Sequence, residues 1–481
     1  MTSRLIAGVL FLCSTLLTAQ EIRLSTGATD HQVFQRGESG SADIRLGGTV
    51  SGLAPGKSIE ARLTAVGGKA VKGFQWSAKL AGSTWSGELK GVPAGGPYNL
   101  ELRAPGAPLV QVKDLLVGDL WVLAGQSNME GVADLKDVQP PDPRVHSFTM
   151  YDEWTMAKEP LHELPAALDS VHWSPKQTAP LTGPALEKWR EARKKGAGSG
   201  LPFAVEMVKR TGIPIGIVPC AHGGTSMAQW DPALKEKGGA SLYGGMLRRV
   251  LAVGGKVKGV LWYQGESDTS AKSEALFHDR FVGLIAAIRQ DFGQADLPFY
   301  YVQLGRYLEP NNQLYWNRVQ DTQRTVEAEL KNVGVVAAVD LALDDLIHIG
   351  TQGQKTLGMR MANLATGKTK RGPHVLTAQW SPGTGLASSI RVTFAEVNGA
   401  LQAPGRPAGF SIHNAEGAAV PMIYRVDPDG SSVVLHVTGK LPAGGTLAYG
   451  AGKDPYCNIT DAAGMGMLAF WAIPINTDGK M

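Results

Sequence analysis

The chain of 481 residues is poor in cysteine, in net charge and in long apolar stretches. Of its three cysteines, Cys13 lies in an apolar N-terminal stretch, so Cys220 and Cys457 remain for the folded protein. One pair permits a disulfide in an oxidising compartment but makes no disulfide framework. The two cysteines fall in regions that we assign to different domains, and the sequence leaves open whether they pair.

The formal net charge is only +4, and lysine and arginine are spread along the chain, which excludes an evident nucleic-acid-binding surface. The densest basic run, residues 190–195, is interpreted as a solvated helix end in preference to a phosphate-binding patch. The ten histidines show no His-Glu-x-x-His spacing, and two cysteines cannot form a zinc cluster. We therefore expect a protein that works without a metal or another cofactor.

The longest apolar stretch, residues 5–17, follows Arg4 and precedes the small-residue segment Thr18-Ala19-Gln20. These zones are typical of a secretory signal, and the stretch is too short for a transmembrane helix of about 20 residues. We predict a signal peptide over residues 1–19 and a secreted or periplasmic protein without a stable membrane anchor. The oligomeric state is not predicted.

Two zones, one at each end of the chain, have the alternating pattern of half-buried strands. Runs such as residues 58–63 and 98–102, separated by glycine and proline turns, predict an N-terminal β-sandwich module over residues 20–116. The same pattern at residues 389–394 and 432–437 predicts a C-terminal β module over residues 370–481.

The middle zone, residues 117–369, alternates buried apolar runs with helical patterns. This order predicts an α/β domain with a mainly parallel sheet covered on both sides, and ligands then bind at the carboxyl ends of the strands. The predicted strands cover residues 120–124, 213–220, 257–263, 299–304 and 333–339, and the predicted helices cover residues 203–210, 274–292 and 316–331.

Ser127 comes directly after the first of these strands in the segment GQSNMEG, residues 125–131. A serine on a sharp glycine turn near a helix start can act as a nucleophile beside free backbone N–H groups. Ser127 as a simple helix N-cap is the alternative. Met129 excludes the Gly-x-Ser-x-Gly pattern of the α/β-hydrolases.

Two further strand ends carry possible oxyanion donors. The N–H of Gly223, in His222-Gly223-Gly224-Thr225, can approach a substrate closely, although these residues alone favour an ordinary turn. The side-chain amide of Gln264 can donate to an oxyanion without titrating, or can simply satisfy a backbone group. Glu266 is a candidate for ordering the surrounding loops.

The last strand is followed by Asp344-Asp345-Leu346-Ile347-His348. A carboxylate three residues before a histidine can bond to one imidazole nitrogen while the other takes a proton from serine. Asp345 has that spacing, and Asp344 is a second choice. An exposed Asp/His loop is the alternative.

Together these blocks resemble the SGNH hydrolases, and within them the sialate O-acetylesterase-like group related to carbohydrate esterase family 6. The matching blocks are GQSNMEG, GGT at 223–225, WYQGES at 262–267 and DLIH at 345–348. The resemblance implies a flavodoxin-like three-layer domain and a serine esterase. It also implies that Ser127 is the nucleophile, His348 the base and Asp345 its partner, with an oxyanion hole formed by Ser127, Gly223 and Gln264.

The resemblance further implies a substrate, namely O-acetyl groups on carbohydrate, such as sialic acid, xylan or another polysaccharide. A non-catalytic carbohydrate-binding protein and a general carboxylesterase or lipase remain the alternatives. Trp154 and Trp173, in the long segment of residues 132–201, either stack on sugar rings or pack that segment against the domain. The residues expected to line the substrate site are Gln126, Asn128, Gly224, Glu266, Trp154 and Trp173.

Overall fold

The computed structural model describes residues 20–477 except residues 54, 55, 66, 81, 310, 312, 385 and 386. The predicted signal peptide lies outside the described residues. Three hydrophobic cores occupy the N-terminal, middle and C-terminal parts of the chain. No helix of the described part is long and apolar enough to cross a membrane.

The N-terminal module has two sheets that face each other across one core, which includes Ile44, Leu63, Leu89 and Leu100. One sheet has the strand order β1-β3-β6, and in the other β4 lies between β5 and β7. Alternating burial along the strands, as in β3, explains why the period-2 pattern predicted this region. The strands are β1 (Glu21–Thr26), β2 (Val33–Gln35), β3 (Ser41–Ser51), β4 (Ser58–Ala65), β5 (Ala70–Lys79), β6 (Thr84–Pro93) and β7 (Gly95–Arg103).

The next strand, β8 (Val110–Gly125), belongs to both the module and the middle domain. Its first half pairs with β7, and its second half is a central strand of the parallel sheet. A domain boundary between residues 116 and 117 therefore falls inside one continuous strand. In the sequence, Gly118 and Asp119 interrupt the apolar residues from Leu115 to Ala124 and hide this continuity.

The middle domain is built on the strand order β11-β10-β13-β8-β14-β15-β16, in which only β11 is antiparallel to its neighbour. Later strands lie on both sides of β8, so the crevice for a ligand is expected at its carboxyl end. The strands are β9 (Ala133–Asp134), β10 (Val145–Phe148), β11 (Trp154–Met156), β12 (Lys195–Ala197), β13 (Ile215–Pro219), β14 (Gly259–Tyr263), β15 (Phe299–Val302) and β16 (Val333–Val336).

The helices of this domain include three that the sequence predicted, α3, α6 and α7, and others that it did not. Helix α8 contacts α3 so closely that a Cβ on Gly358 would lie 2.6 Å from the Phe203 nitrogen. Such glycines weaken a helical sequence pattern. The helices are α1 (Ser127–Glu130), α2 (Gly183–Ala192), α3 (Gly200–Thr211), α4 (Leu242–Ala252), α5 (Ala271–Glu274), α6 (Phe277–Asp291), α7 (Gln313–Glu329) and α8 (Thr351–Thr366).

The C-terminal module has an eight-stranded sheet in the order β21-β20-β24-β26-β17-β18-β23-β22 and a two-stranded sheet of β19 and β25. Cys457 is buried in the C-terminal core and Cys220 in the middle one, and both are free thiols. The strands are β17 (His374–Ser381), β18 (Ala387–Ala395), β19 (Leu401–Gln402), β20 (Phe410–His413), β21 (Ala419–Val420), β22 (Ile423–Asp429), β23 (Ser432–Thr438), β24 (Thr446–Tyr449), β25 (Thr460–Asp461) and β26 (Phe470–Asn476).

Candidate active site

The turn after β8 places Ser127 at the carboxyl edge of the sheet. Gly125 ends the strand with φ of 125°, and a Cβ on it would lie 2.2 Å from the Tyr263 carbonyl oxygen on β14. Only glycine allows this close approach. The N–H of Gln126 donates to the same carbonyl at 2.8 Å, and Ser127 then begins α1.

Ser127, His348 and Asp345 form one hydrogen-bonded chain. Ser127 Oγ is 3.1 Å from His348 Nε2, and His348 Nδ1 is 2.8 Å from Asp345 Oδ2. The backbone N–H groups of Ile347 and His348 both donate to Asp345 Oδ1, at 3.1 and 3.0 Å. The carboxylate thus folds back onto its own loop and orients the imidazole toward the serine.

The charge on Asp345 is stabilised by its neighbours. Burial alone would raise its pKa, but hydrogen bonds from His348, the Ile347 N–H and Lys195 hold the pKa well below its usual range. Lys195 Nζ lies 3.0 Å from Asp345 Oδ2. Asp344 has another task, since its carboxylate accepts the Asp134 N–H at 2.9 Å.

Asn128 ties the serine turn to the histidine loop. Its side-chain N–H donates to Glu266 Oε1 at 3.0 Å, and its side-chain oxygen accepts the Ile349 N–H at 3.0 Å. Burial raises the pKa of Glu266 to about 7, against the effect of the Asn128 hydrogen bond. Asn128 and Glu266 were expected to line the substrate site. In the structure the Asn128 amide and Glu266 Oε1 bond to protein groups, as expected if Glu266 orders the loops, whereas Glu266 Oε2 is buried without a hydrogen-bond partner among the described residues.

The Gly223 N–H faces an acidic residue that sequence reasoning did not single out. It donates to Glu130 Oε2 at 2.8 Å, and a Cβ on Gly223 would lie 3.3 Å from the Ser127 Cβ. Burial raises the pKa of Glu130 to about 6, although the Gly223 N–H and the charge of Arg193 act in the opposite direction. Glu130 is part of the GQSNMEG block, so its position was visible, but its contact depends on the fold.

Gln264 differs from the predicted oxyanion donor. Its side chain is fully buried, and its amide nitrogen donates to Thr225 O at 3.1 Å and to Asp268 Oδ2 at 2.6 Å. An amide has two N–H donors, so both are engaged. The structure therefore supports the other interpretation of Gln264, that it satisfies groups of the protein.

A histidine pair lies beside the glycine turn. His172 Nδ1 and His222 Nδ1 are 3.1 Å apart and the rings stack, so one nitrogen donates and the other accepts. Burial lowers the pKa of both imidazoles, which favours the neutral pair. His222 also lines a cavity of about 200 Å³ together with Thr225, Gln229 and Lys237.

The remaining predicted substrate residues fall into different environments. Trp154 is buried in the core against Phe148, which excludes a role in stacking on sugar. The half-buried Trp173 donates its indole N–H to Ala167 O at 2.7 Å, as expected of packing. Gln126 is buried and its side-chain oxygen has no partner among the described residues, and Gly224 is exposed. Gln126 and Gly224, together with Glu266 through its unpartnered Oε2, remain candidates for contacting a substrate.

Comparison with known proteins shows the family to which the chain is similar. A model described as "Carbohydrate esterase, sialic acid-specific acetylesterase" matches residues 117–366. A probable carbohydrate esterase of Arabidopsis thaliana is 30% identical over 269 residues, which cover 50% of this chain and 88% of that protein. Human sialate O-acetylesterase is 25% identical over 307 residues, 55% of this chain and 56% of that protein.

One solved structure resembles nearly the whole chain. A carbohydrate acetylesterase from Xanthomonas citri is 25% identical, with a TM-score of 0.64, over 93% of this chain and 99% of that one. The likeness therefore extends over both flanking modules, whereas the chain spans little more than half of the human enzyme.

Proposed function

The chain belongs to the carbohydrate esterase, sialic acid-specific acetylesterase family, whose relatives are carboxylic ester hydrolases, and we propose that it removes O-acetyl groups from carbohydrate by covalent catalysis at Ser127. The observation that carries the proposal is the hydrogen-bonded chain from Ser127 through His348 to Asp345 at the carboxyl edge of the sheet. A binding module without catalysis has no use for that chain. The same chain of residues fits the three-layer SGNH arrangement that the sequence blocks imply.

In the first half of the reaction, Ser127 Oγ attacks the acetyl carbonyl carbon while its proton passes to His348 Nε2. The tetrahedral intermediate then loses the sugar oxygen, which takes the proton from His348, and acetyl-Ser127 remains. In the second half, water attacks the acetyl carbon and gives its proton to His348. Acetate leaves as Ser127 Oγ regains that proton. Asp345 stabilises the imidazolium in both halves.

The oxyanion is stabilised in this proposal by backbone N–H groups. The Ser127 N–H lies in the first turn of α1, where helix N–H groups lack an acceptor in the helix. The Gly223 N–H joins it when Glu130 releases it, and a carboxyl with a raised pKa is easily neutralised near pH 6. Gln264 orders the loop that follows Gly223, through its hydrogen bond to Thr225 O.

The cavity beside His222 is proposed to receive part of the substrate. It opens next to the Gly223 turn, and its lining includes the polar side chains of Thr225 and Gln229 and the charged one of Lys237. Sialic acid carries a carboxylate, which a lysine can bind, whereas xylan is neutral. Acetylated sialic acid is therefore the first substrate to test, with acetylated xylan and other polysaccharides as alternatives.

The experiment is a comparison of hydrolysis rates on four substrates: acetate release from acetylated sialic acid and acetylated xylan, and 4-nitrophenol release from 4-nitrophenyl acetate and a longer 4-nitrophenyl acyl ester. The Ser127→Ala variant supplies the blank. A carbohydrate acetylesterase releases acetate from a glycan and is poor on the longer ester. Preference for the longer ester would instead show a general esterase, and no turnover of any substrate would show a binding protein.

Secretion is also a proposal, because it depends on residues 1–19. It is tested by expressing the full chain with and without those residues and measuring where it accumulates. Equal distribution of the two forms would contradict it.

A further inference from the structure

Three side chains that can bind a metal meet at the amino-terminal edge of the central sheet, opposite the edge that carries Ser127. His31 lies in the loop between β1 and β2, Asp114 on β8 and His146 on β10. His31 Nδ1 is 2.7 Å from Asp114 Oδ2, and His146 Nε2 is 3.5 Å from the same oxygen. All three ligand atoms lie within 4.8 Å of one another.

The orientation of the His146 ring is fixed by the protein. Its Nδ1 lies 2.6 Å from the His31 carbonyl oxygen, which can only accept, so Nδ1 carries the proton and Nε2 of the neutral ring presents a lone pair. This is the outer hydrogen bond that usually orients a metal-binding histidine.

The lone pair of His146 Nε2 has no protein donor. The side chain is fully buried, and Nε2 has no hydrogen-bond partner among the described residues. It faces the Asp114 carboxylate, which is itself an acceptor.

We propose that His31, Asp114 and His146 bind one Zn²⁺ ion, with water in the remaining position. Two imidazole nitrogens and one carboxylate oxygen are a ligand set that Zn²⁺ favours. Ligand atoms around a tetrahedral zinc are about 3.3 Å apart, so the contact of His31 with Asp114 lengthens by roughly half an ångström on binding. The Nδ1 proton of His31 then moves to its Nε2 or is released, as metal binding requires.

The site is accessible to an ion and connects two parts of the fold. The side chains of His31 and Asp114 are 43% and 32% exposed, which leaves a path from solvent to the buried His146. Because His31 belongs to the N-terminal module and His146 to the central sheet, a bound ion cross-links the module to the catalytic domain. Its role is structural and separate from the acetyl-transfer chemistry at Ser127.

The test measures zinc directly on the full chain. Apo protein is titrated with Zn²⁺ by calorimetry, and the zinc content is then determined by elemental analysis after dialysis. We expect one Zn²⁺ per chain and a rise in Tm with zinc. Asp114→Asn removes the charged ligand at similar size and is expected to weaken binding by at least about 100-fold, since loss of an outer partner alone costs about 10- to 100-fold. His31→Gln, at the exposed ligand, should do the same.

The matched control is His278→Gln. His278 is an exposed histidine with two carboxylate neighbours, Asp279 and Glu329, at 2.9 and 2.8 Å, and its replacement should leave the stoichiometry unchanged. Equal zinc binding by the wild-type protein and Asp114→Asn would overturn the proposal, as would a wild-type protein that binds none. Loss of the ion in a His222→Asn variant with retention in Asp114→Asn would place zinc at the histidine pair and equally overturn it.

Discussion

Replacing Asp345 by asparagine tests how the histidine loop works. The two backbone N–H groups that donate to Asp345 Oδ1 hold the amide oxygen there, so the new NH₂ group faces His348 Nδ1. Nδ1 must then give up its proton and accept, and the proton moves to Nε2. In that tautomer His348 cannot take the proton of Ser127.

The size of the effect depends on the surroundings of the carboxylate. In a fully buried triad this change costs about 10⁴-fold in kcat, or about 5.5 kcal/mol. The Asp345 side chain is 37% exposed and is paired with Lys195, so water and the lysine already screen part of its charge. We therefore expect Asp345→Asn to lower kcat by about 10²- to 10³-fold, with Tm nearly unchanged.

The assay is the initial rate of 4-nitrophenyl acetate hydrolysis together with thermal unfolding. Asp344→Asn is the matched control, because its carboxylate bonds to the Asp134 N–H and does not contact His348. It should keep most of the activity. Equal losses in the two variants, or nearly full activity in Asp345→Asn, would refute this account of the loop.

Three further predictions concern Glu159, Gly223 and Gln264. Burial raises the pKa of Glu159 from 4.5 to about 8, so the folded chain keeps a proton that the unfolded chain loses, and stability falls as pH rises. The free energy of unfolding, measured by urea titration, should fall between pH 6.5 and 8 by about 2 kcal/mol more for the wild-type protein than for Glu159→Gln. The same pH dependence of the unfolding free energy in both proteins would contradict this. Gly223→Ala brings a methyl group to 3.1 Å from Glu130 Oε2 and 3.3 Å from Ser127 Cβ, so kcat/KM should drop by roughly 10- to 100-fold; an unchanged kcat/KM would show that the turn has room. Gln264→Ala breaks two buried hydrogen bonds and should lower the free energy of unfolding by about 2 kcal/mol; a large loss of kcat at unchanged stability would restore its role as an oxyanion donor.

Positions at strand ends could be predicted from the sequence. Ser127 directly follows the end of β8 and His348 lies in the loop after β16, and the carboxyl ends of parallel strands meet at one edge of the sheet. The Asp-x-x-His spacing was enough to place Asp345 against its imidazole. The contact of Asp345 with His348 is local. The contact of Ser127 with His348 depends on the sheet topology, which the apolar runs in the sequence indicate.

Contacts that depend on how loops pack could not be predicted from the sequence. The Glu130 carboxylate reaches Gly223 across two loops, and Gln264 turns its amide toward Asp268. The sequence does not show whether the Trp154 side chain faces a sugar or the core. Strand β10 (Val145–Phe148) was missed because it is short and contains the polar residues His146 and Ser147.

The most direct test of the central claim is acetate release by Ser127→Ala from an acetylated carbohydrate that the wild-type protein hydrolyses. With the hydroxyl gone, no acetyl-enzyme forms, and we expect the rate to fall by at least about 10⁴-fold with the fold unchanged by circular dichroism. A folded Ser127→Ala protein that releases acetate at a rate close to that of the wild type would contradict the assignment of Ser127 as the nucleophile.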